Sequence, residues 1–363
     1  MLRLLLIAAL TLGVVPLQAR PAPPPDAPTN AFVTNAAERG GQDTLTLNNL
    51  LTGESSQVTV SGAHYSIVGR DVVFLDDASG RVQAVGSDSE IREHPLIQPS
   101  ETARRIDWIS SPAAGLVAWI VTEGTPDALT TTTYTASPEG AGARLVLRDG
   151  PRAGIRAFPV AFSDDGSTLF MDYQPDTIAD LTPLRQYAAM FALDLASSTV
   201  FSLPGESSCY CGGAVGSGKF VRLALAEAGF DVRVTDLARG STTVIPSLGL
   251  ADYTQAGDVL IAPGGAQAVY TLLQLVPGAP EGERLRSLWV LVDLVNGTQR
   301  LLNPDDPEPR ILRPVTWLDN GQGVLLVDSA QPGTWRLDVD SGALAQVASA
   351  SFIGSTIFPP GLQ

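Results

Sequence analysis

The segment AFSDDGSTLFMDY, residues 161–173, together with MFALDLASSTVFSL, residues 190–203, decides the fold of this chain. In each segment, short runs of β-prone apolar residues stand on both sides of a polar turn that contains Asp with Gly or Ser. This pattern predicts a β-hairpin. The two segments therefore predict two successive hairpins, and thus four antiparallel strands, in a unit of about fifty residues.

The first hairpin recurs along the chain. A glycine followed by a short apolar run appears at spacings of 46 to 56 residues, at Gly69, Gly115, Gly166, Gly218, Gly265 and Gly321. A period of this length is the sequence signature of a repeat architecture.

A second, independent pattern keeps the same phase. Asp or Asn is followed by Leu or Val, two further residues, and then Gly or Ser, in copies that begin at Asn49, Asp194, Asp236, Asp293 and Asp338. Each copy lies between two runs of alternating apolar residues, which predicts the second hairpin of the unit. In a chain with 35 glycines, this agreement supports the period more strongly than the glycines alone.

A unit of four antiparallel strands corresponds to one blade of a β-propeller. Six units run from about residue 66 to residue 347, which leaves a hairpin at residues 44–60 and a single strand at residues 351–358. We expect these two remnants to form a further blade, because a blade shared by the two chain ends closes the ring and removes its free edges. The sequence thus predicts an all-β chain, a β-propeller of seven four-stranded blades, with six or eight blades as alternatives.

Large aromatic residues stand just before the glycine turn in several units. We expect Trp108, Phe162 and Trp317 to pack between neighbouring blades, since a single blade cannot bury both of its faces.

The repeat resembles that of TolB-like and WD40-like β-propellers. The segments AFSDDGSTLFMDY (161–173), ISSPAAGLVAWI (109–120) and TWLDNGQGVLLV (316–327) are similar to the FSPDGxxLAF core of those repeats. The segment SLWVLVDLVNGTQRLL (287–302) is similar to the accompanying LWVxDLxTGxxxxL. The resemblance implies a propeller over most of the chain, and it is specific to the repeat rather than to one activity.

The pattern of the N-terminal residues predicts a targeting segment. MLRLLLIAALTLGVVPLQA, residues 1–19, has one positive charge, an apolar run of about a dozen residues and a small residue at its end, which is typical of a bacterial-type secretory signal. We expect cleavage after Ala19, with a retained membrane anchor as the alternative. Residues 20–40 begin with RPAPPPDAPTN and are predicted to be a Pro-rich linker, so that the propeller domain spans residues 41–363. The chain is therefore expected to be extracytoplasmic, either secreted or periplasmic.

The charge balance excludes one class of partner. The 363 residues include 38 acidic and 23 basic side chains, which gives a formal net charge of −15. This excess repels phosphate backbones and anionic lipid surfaces. We expect no nucleic acid partner and no stable membrane insertion.

One segment mimics a phosphate-binding loop. GAVGSGKF, residues 213–220, fits G-x-x-x-x-G-K, but Phe220 occupies the position of the Ser or Thr whose hydroxyl binds Mg²⁺. The residues after it alternate as in a strand, and its second glycine is in phase with the other turns. We interpret the segment as another hairpin, and we expect no cofactor.

The two cysteines, Cys209 and Cys211, lie in the connection between two blades. Export favours a disulfide, either local or intermolecular, with free thiols or a metal or redox site as alternatives. Zinc requires four ligands, and the two histidines, His64 and His94, are interpreted as surface or packing residues. The sequence therefore predicts no metal site.

No segment predicts a catalytic residue. The chain lacks the G-x-S-x-G nucleophile elbow. The acidic residues Asp76, Asp77, Asp305, Asp306 and Glu308 are interpreted as solvated turn residues, with glycosidase carboxylates or Ca²⁺ ligands as the alternative.

The longest insertions are better candidates for function, because loops that project from a rigid ring usually carry binding specificity. They are residues 123–142 in the second blade, 174–186 in the third and 277–286 in the fifth.

We therefore expect an exported, non-catalytic β-propeller that binds a protein or a glycan, as a binding module or scaffold in the cell envelope or outside the cell. The first alternative is an enzyme, a propeller glycoside hydrolase or lyase. Three or more Asp or Glu side chains converging at one end of the channel would favour it. The second alternative is a small-ligand or metal sensor that uses the cysteine pair.

Overall fold

The strands of the protein follow its alternating apolar residues. In Asp43–Asn49 every second side chain is buried, as expected where successive residues point to opposite faces of a sheet. The computed structural model describes residues 28–35, 41–177, 184–206, 209–250, 253–276, 278, 285–303, 310–318, 321–328 and 331–356. Within these ranges the chain forms strands, turns and connecting segments and contains no α-helix. The prediction of an all-β chain is confirmed.

The strands form seven four-stranded antiparallel blades arranged in a ring. The predicted number of blades is therefore confirmed. The first strands of neighbouring blades contact one another, which places them around the central channel.

The strands of the first four blades have the following bounds. Blade 1 contains β4 (Gly62–Val68), β5 (Asp71–Asp76), β6 (Val82–Val85) and β7 (Ile91–Glu93). Blade 2 contains β8 (Ala103–Ser111), β9 (Leu116–Thr125), β10 (Ala128–Ala136) and β11 (Arg144–Arg152). Blade 3 contains β12 (Ile155–Phe162), β13 (Thr168–Pro175), β14 (Met190–Asp194) and β15 (Thr199–Ser202). Blade 4 contains β16 (Gly213–Gly216), β17 (Lys219–Ala226), β18 (Gly229–Asp236) and β19 (Thr242–Ile245).

The other three blades complete the ring. Blade 5 contains β20 (Tyr253–Ile261), β21 (Gln267–Leu275), β22 (Leu285–Asp293) and β23 (Thr298–Leu302). Blade 6 contains β24 (Leu312–Leu318), β25 (Gly323–Asp328), β26 (Thr334–Asp338) and β27 (Leu344–Ala348). Blade 7 contains β28 (Ser351–Ser355), β1 (Thr29–Thr34), β2 (Asp43–Asn49) and β3 (Ser55–Val60), in that spatial order.

Blade 7 joins the two ends of the chain, as predicted, and it also corrects the predicted domain boundary. Its second strand, Thr29–Thr34, lies within residues 20–40, which the sequence analysis assigned to the linker. The strand alternates buried and partly exposed residues and pairs with β28 on one side and β2 on the other. The propeller therefore begins at Thr29 rather than at residue 41. The predicted signal segment, residues 1–19, lies outside the described residues.

Both predicted turn patterns are present. The six repeated glycines all have a positive φ, between 60° and 100°, which residues with a side chain rarely adopt. In the second pattern, the Asp side chain accepts hydrogen bonds from the backbone amides two and three residues later, as Asp293 does from Val295 (3.0 Å) and Asn296 (2.8 Å). These bonds fix the hairpin between the third and fourth strands of a blade.

The core lies between the blades. Six clusters of buried apolar side chains each combine residues from two neighbouring blades. The predicted wedges belong to them: Phe162 is buried between blades 2 and 3, and the indole nitrogens of Trp108 and Trp317 donate to the preceding blade, at Ser66 (2.6 Å) and Leu260 (3.1 Å). Their role in packing between blades is confirmed.

Candidate functional site

A cavity of about 420 Å³ opens in the central channel, at the end where the first strands of the blades begin. Its wall is formed by β4, β8, β12 and β24, the first strands of blades 1, 2, 3 and 6. Residues 184–187, before β14, and Tyr210, between blades 3 and 4, also line it. We call this space the channel cavity.

Positive charge dominates the channel cavity. Its charged lining consists of Arg105, Asp107, Arg156, Arg185 and Arg313. Two further carboxylates, Asp176 and Asp258, contact these arginines without lining the cavity. Four guanidinium groups thus face three carboxylates, although the whole chain carries a net charge of −15.

Asp107 holds two of the arginines. Its carboxylate accepts from Arg156 Nη1 at 2.6 Å and from Arg105 Nε at 3.1 Å. The side chain of Arg156 is fully buried, and burial lowers the pKa of its guanidinium while Asp107 opposes that shift. The group stays charged, since an arginine does not lose its proton in a protein.

Arg156 has unused hydrogen-bonding capacity. Its Nε and Nη2 atoms are buried and have no hydrogen-bond partner in the structure. The nearest further carboxylate, Asp176, lies 3.6 Å from Nε. A buried donor without a partner is rare in proteins and costs free energy. The Nε and Nη2 N–H groups of Arg156 are therefore available for an acceptor that the protein itself does not supply.

Asp258 holds the other two arginines. Arg313 donates to both of its carboxylate oxygens, at 3.1 and 3.0 Å, and the backbone amide of Arg185 donates to it at 2.9 Å. Tyr187 and Asp258 raise the pKa of the Arg185 guanidinium, so this side chain also stays charged. Arg185 is exposed to water within the cavity.

Aromatic and amide side chains complete the lining. Trp108, Phe158 and Tyr210 supply aromatic surface, and Gln174 and Gln186 supply both donors and acceptors. The Phe158 ring lies under the guanidinium of Arg156, with the ring centre 5.3 Å from Cζ.

Arg222 positions the connection that carries Tyr210. Its guanidinium donates to the carbonyl oxygens of Cys209 (2.7 Å) and Cys211 (2.8 Å) and pairs with Glu206 at 3.1 Å. The Cα atoms of the two cysteines are 5.4 Å apart, a separation compatible with a disulfide. The disulfide stays a prediction for the protein in solution. Tyr210, between the two cysteines, reaches the cavity.

The glycine-rich segment and the two histidines, which the sequence analysis also considered, lie at different places in the structure. Residues 213–220 form the hairpin of β16 and β17, which agrees with their interpretation as a turn rather than a phosphate loop. His94 is buried and its Nδ1 accepts from the amides of Leu96 and Ile97, while burial lowers its pKa to about 4. His64 lines the cavity and lies edge-on to Trp108.

The acidic candidates fall on turns or outside the described residues. Asp76 accepts from Ser79 in a surface turn, which is the role predicted for it. The stretch with Asp305, Asp306 and Glu308 lies outside the described residues. Among the residues that the structure describes, no group of three or more His, Cys, Asp or Glu is placed to hold a metal ion.

One of the three predicted functional loops supplies the cavity. From the segment 174–186, Gln174 and residues 184–186 line it. The segment 123–142 is instead largely the hairpin of β9 and β10, whose strands pair from residue 117 to residue 136. In the segment 277–286, Leu285 and Arg286 begin β22.

No motif of the sequence predicted a role for the four arginines or Asp107. A signal for them exists: Arg105, Arg156 and Arg313 occupy the second or third position of β8, β12 and β24, the first strands of their blades. That recurrence becomes meaningful only once those strands are known to surround one channel.

A second cavity, of about 600 Å³, lies against blade 1. Of its two arginines, Arg70 and Arg92, Arg92 donates to both oxygens of Asp71 at 2.8 Å and lies 3.6 Å from Asp88. Asp71 and Asp88 thus neutralise the charge of Arg92.

Comparison with known proteins supports the fold. No protein-family model matches the chain, and no curated protein matches it in sequence. An acylaminoacyl peptidase in complex with Z-Gly-Gly-Phe-chloromethyl ketone is 10% identical with a TM-score of 0.51, over 88% of this chain and 52% of its own. The acylaminoacyl peptidase of Pyrococcus horikoshii is 12% identical with a TM-score of 0.50, over the same shares.

TolB from Acinetobacter baumannii is 11% identical with a TM-score of 0.48, over 90% of this chain and 81% of that one. This chain spans about half the length of the two peptidases. Identities this low support the propeller fold alone. The chain forms seven four-stranded blades, and the predicted resemblance to TolB-like propeller repeats is confirmed. In the described part of the chain, no helix is long and apolar enough to cross a bilayer.

Proposed function

We propose that this protein is an exported, non-catalytic binding module that takes a protein or glycan ligand into the channel cavity, in the cell envelope or outside the cell. The observation that carries the proposal is the set of four arginines that the ring assembles in an otherwise acidic chain. Positive charge that is concentrated in a cavity with low-dielectric walls attracts an anionic ligand from bulk water. In this chain that charge has the opposite sign to the net charge of the molecule.

The pairing of the carboxylates favours binding over catalysis. A glycosidase needs one carboxyl group that carries a proton and a second that acts as base or nucleophile. Three carboxylates do stand at this end of the channel, but all three are paired with arginines. Asp107 and Asp258 are each hydrogen-bonded to arginine, at 2.6 to 3.1 Å, and Asp176 lies between Arg104 (3.4 Å) and Arg156 (3.6 Å). The oxygens of Asp107 and Asp258 are thus occupied by guanidinium donors. The hydrolase or lyase alternative would require these ion pairs to open.

Export is supported by the N-terminal sequence pattern and by the close pair of cysteines. Residues 1–19 have the charge and apolar run of a secretory signal. Cys209 and Cys211 stand at a separation compatible with the disulfide expected of an exported protein.

The test is capture of a ligand from the host's envelope and culture fractions by the full chain, compared with two variants. Arg185→Gln removes an exposed cation of the channel cavity. Arg239→Gln is the matched control, because this arginine lies on a surface turn, is 80% exposed and does not line the cavity. We expect wild type and R239Q to capture the same ligand and R185Q to lose it.

Two results would contradict the proposal. Capture that is equal in all three proteins would show that the channel cavity is not the binding site. Cleavage of a glycan panel by purified protein would favour the hydrolase or lyase alternative.

A further inference from the structure

We infer that the group received by the channel cavity is the single carboxylate of an acidic sugar, a uronate at the end of a glycan. This inference rests on the proposed function and specifies its ligand class.

The negative charge of the ligand follows from the balance of donors and acceptors. Arg156 has two buried nitrogens without hydrogen-bond partners, and Arg185, an exposed residue whose guanidinium interacts with Tyr187, lines the same space. The carboxylates in contact with the four arginines are fewer than the arginines themselves. An anionic oxygen pair would satisfy donors that the protein leaves open, in the bidentate geometry that guanidinium groups favour.

A single charge is favoured over several. The net charge of −15 repels a polyanion as it approaches the ring. All four cations are arginines, whose planar fork matches a planar carboxylate. Four guanidinium groups line or contact the site against three carboxylates, and Arg104, outside the lining, also pairs with Asp176 at 3.4 Å. The local excess is therefore at least one positive charge, which is enough to balance one carboxylate.

The body of the ligand follows from the rest of the lining. The volume of about 420 Å³ lies at the lower end of the range of ligand sites, about 300–1,000 Å³, and suits one or two sugar rings. Gln186 donates to the carbonyl oxygen of Ala256 at 2.9 Å. Gln174 bonds to Asp172, and each amide keeps further donor and acceptor capacity. Together with Tyr210 they can bond to the hydroxyl groups of a sugar. Trp108 and Phe158 provide flat apolar surface against which a sugar ring can pack.

The experiment is calorimetric titration of the full chain with D-glucuronate and with D-glucose, which differ in the carboxylate. We expect glucuronate to bind at least about tenfold more tightly than glucose. Arg185→Gln should weaken glucuronate binding by about tenfold or more, while Arg239→Gln should leave it unchanged. Higher salt should weaken binding in wild type. Circular dichroism of both variants confirms that they are folded.

A third titration separates the sugar from a peptide. Short peptides with a free C-terminal carboxylate are compared with their amidated forms. Carboxylate-dependent binding of the peptides without binding of glucuronate would overturn the sugar assignment. Equal binding of glucose and glucuronate would also overturn it, and so would the absence of glucuronate binding at about 10 mM.

Failure here is distinguishable from failure of the proposed function. If glucuronate does not bind but capture from the host still depends on Arg185, the binding module stands and the acidic sugar is rejected. If capture does not depend on Arg185, the site itself is rejected.

Discussion

Replacing Asp107 by alanine should destabilise the propeller more than any other single change in the channel cavity. Asp107 is 6% exposed and accepts from two arginines, one of which, Arg156, has a fully buried side chain. The Asp107→Ala variant leaves that guanidinium buried without its 2.6 Å partner.

The magnitude follows from the contacts that remain. Removal of one partner of a buried ion pair costs about 3–5 kcal/mol. Asp176 stays 3.6 Å from Arg156 Nε and compensates in part, so we expect the lower end, about 3 kcal/mol, or more than about a hundredfold in the unfolding equilibrium. Arg156→Met should cost less, about 1 kcal/mol, because Asp107 keeps its bond to Arg105. In the double variant, the loss should be well below that of Asp107→Ala, because the unpaired charge is gone.

The assay is urea unfolding followed by the fluorescence of the five tryptophans, with the midpoint compared at constant slope. Asp340→Ala is the control, since Asp340 is an exposed aspartate on the turn after β26. The reasoning fails if Asp107→Ala unfolds within about 0.5 kcal/mol of wild type. It also fails if the double variant is as unstable as Asp107→Ala alone, because the cost would then not come from the buried charge.

Three further predictions concern turns and the cysteine connection. Gly124→Ala should cost more than about 2 kcal/mol, because φ is 95° and a Cβ would lie 2.3 Å from a backbone oxygen, whereas Gly53→Ala, with open space, should cost about 1 kcal/mol in the same urea assay. Hydrogen bonds from backbone amides, and in Asp338 first of all from the Ser341 hydroxyl, lower the pKa of four turn carboxylates. The stability that these carboxylates contribute is therefore present above pH about 4 and is lost as the pH falls through the lowered pKa. Replacement of Asp194, Asp236, Asp293 and Asp338 by asparagine should keep these turns, because Asn49 already forms the corresponding turn in blade 7. It should also make the dependence of stability on pH flatter on the acid side. Cys211→Ser should leave the circular dichroism spectrum unchanged, since Arg222 still holds the carbonyl oxygens of this connection, and thiol titration should find no free thiol in unreduced wild type.

The repeat could be predicted because each blade encodes its own hairpins. The turn glycines and the Asp turns are local signals, and both depend on backbone geometry that few other residues satisfy. The strand Thr29–Thr34 could not be predicted in this way, because it has no turn of its own and follows a Pro-rich stretch. Its partners, β2 and β28, come from the two ends of the propeller. Only the closed ring explains why these six residues form a strand.

The channel cavity was beyond a local analysis for a related reason. Arg105, Arg156 and Arg313 belong to blades 2, 3 and 6, and in sequence each is a single charge near the start of a strand. The cavity arises because first strands that are distant in sequence surround one channel. The notable motifs of the sequence, such as the glycine-rich segment 213–220, serve the hairpins instead.

Ring closure and ligand binding should therefore be thermodynamically linked. The cavity lining extends from His64 in blade 1 to Arg313 in blade 6, and blade 7 joins these two blades through the pairing of β1 with β28. A ligand that binds the assembled cavity and not the opened ring stabilises closure by RT ln(1 + [L]/Kd), which is about 2.7 kcal/mol at a hundred times Kd. The ligand also relieves the cost of the unpaired Arg156 donors, which the free protein bears. The unpaired N–H groups of Arg156 are thus groups through which a ligand can stabilise the closed ring.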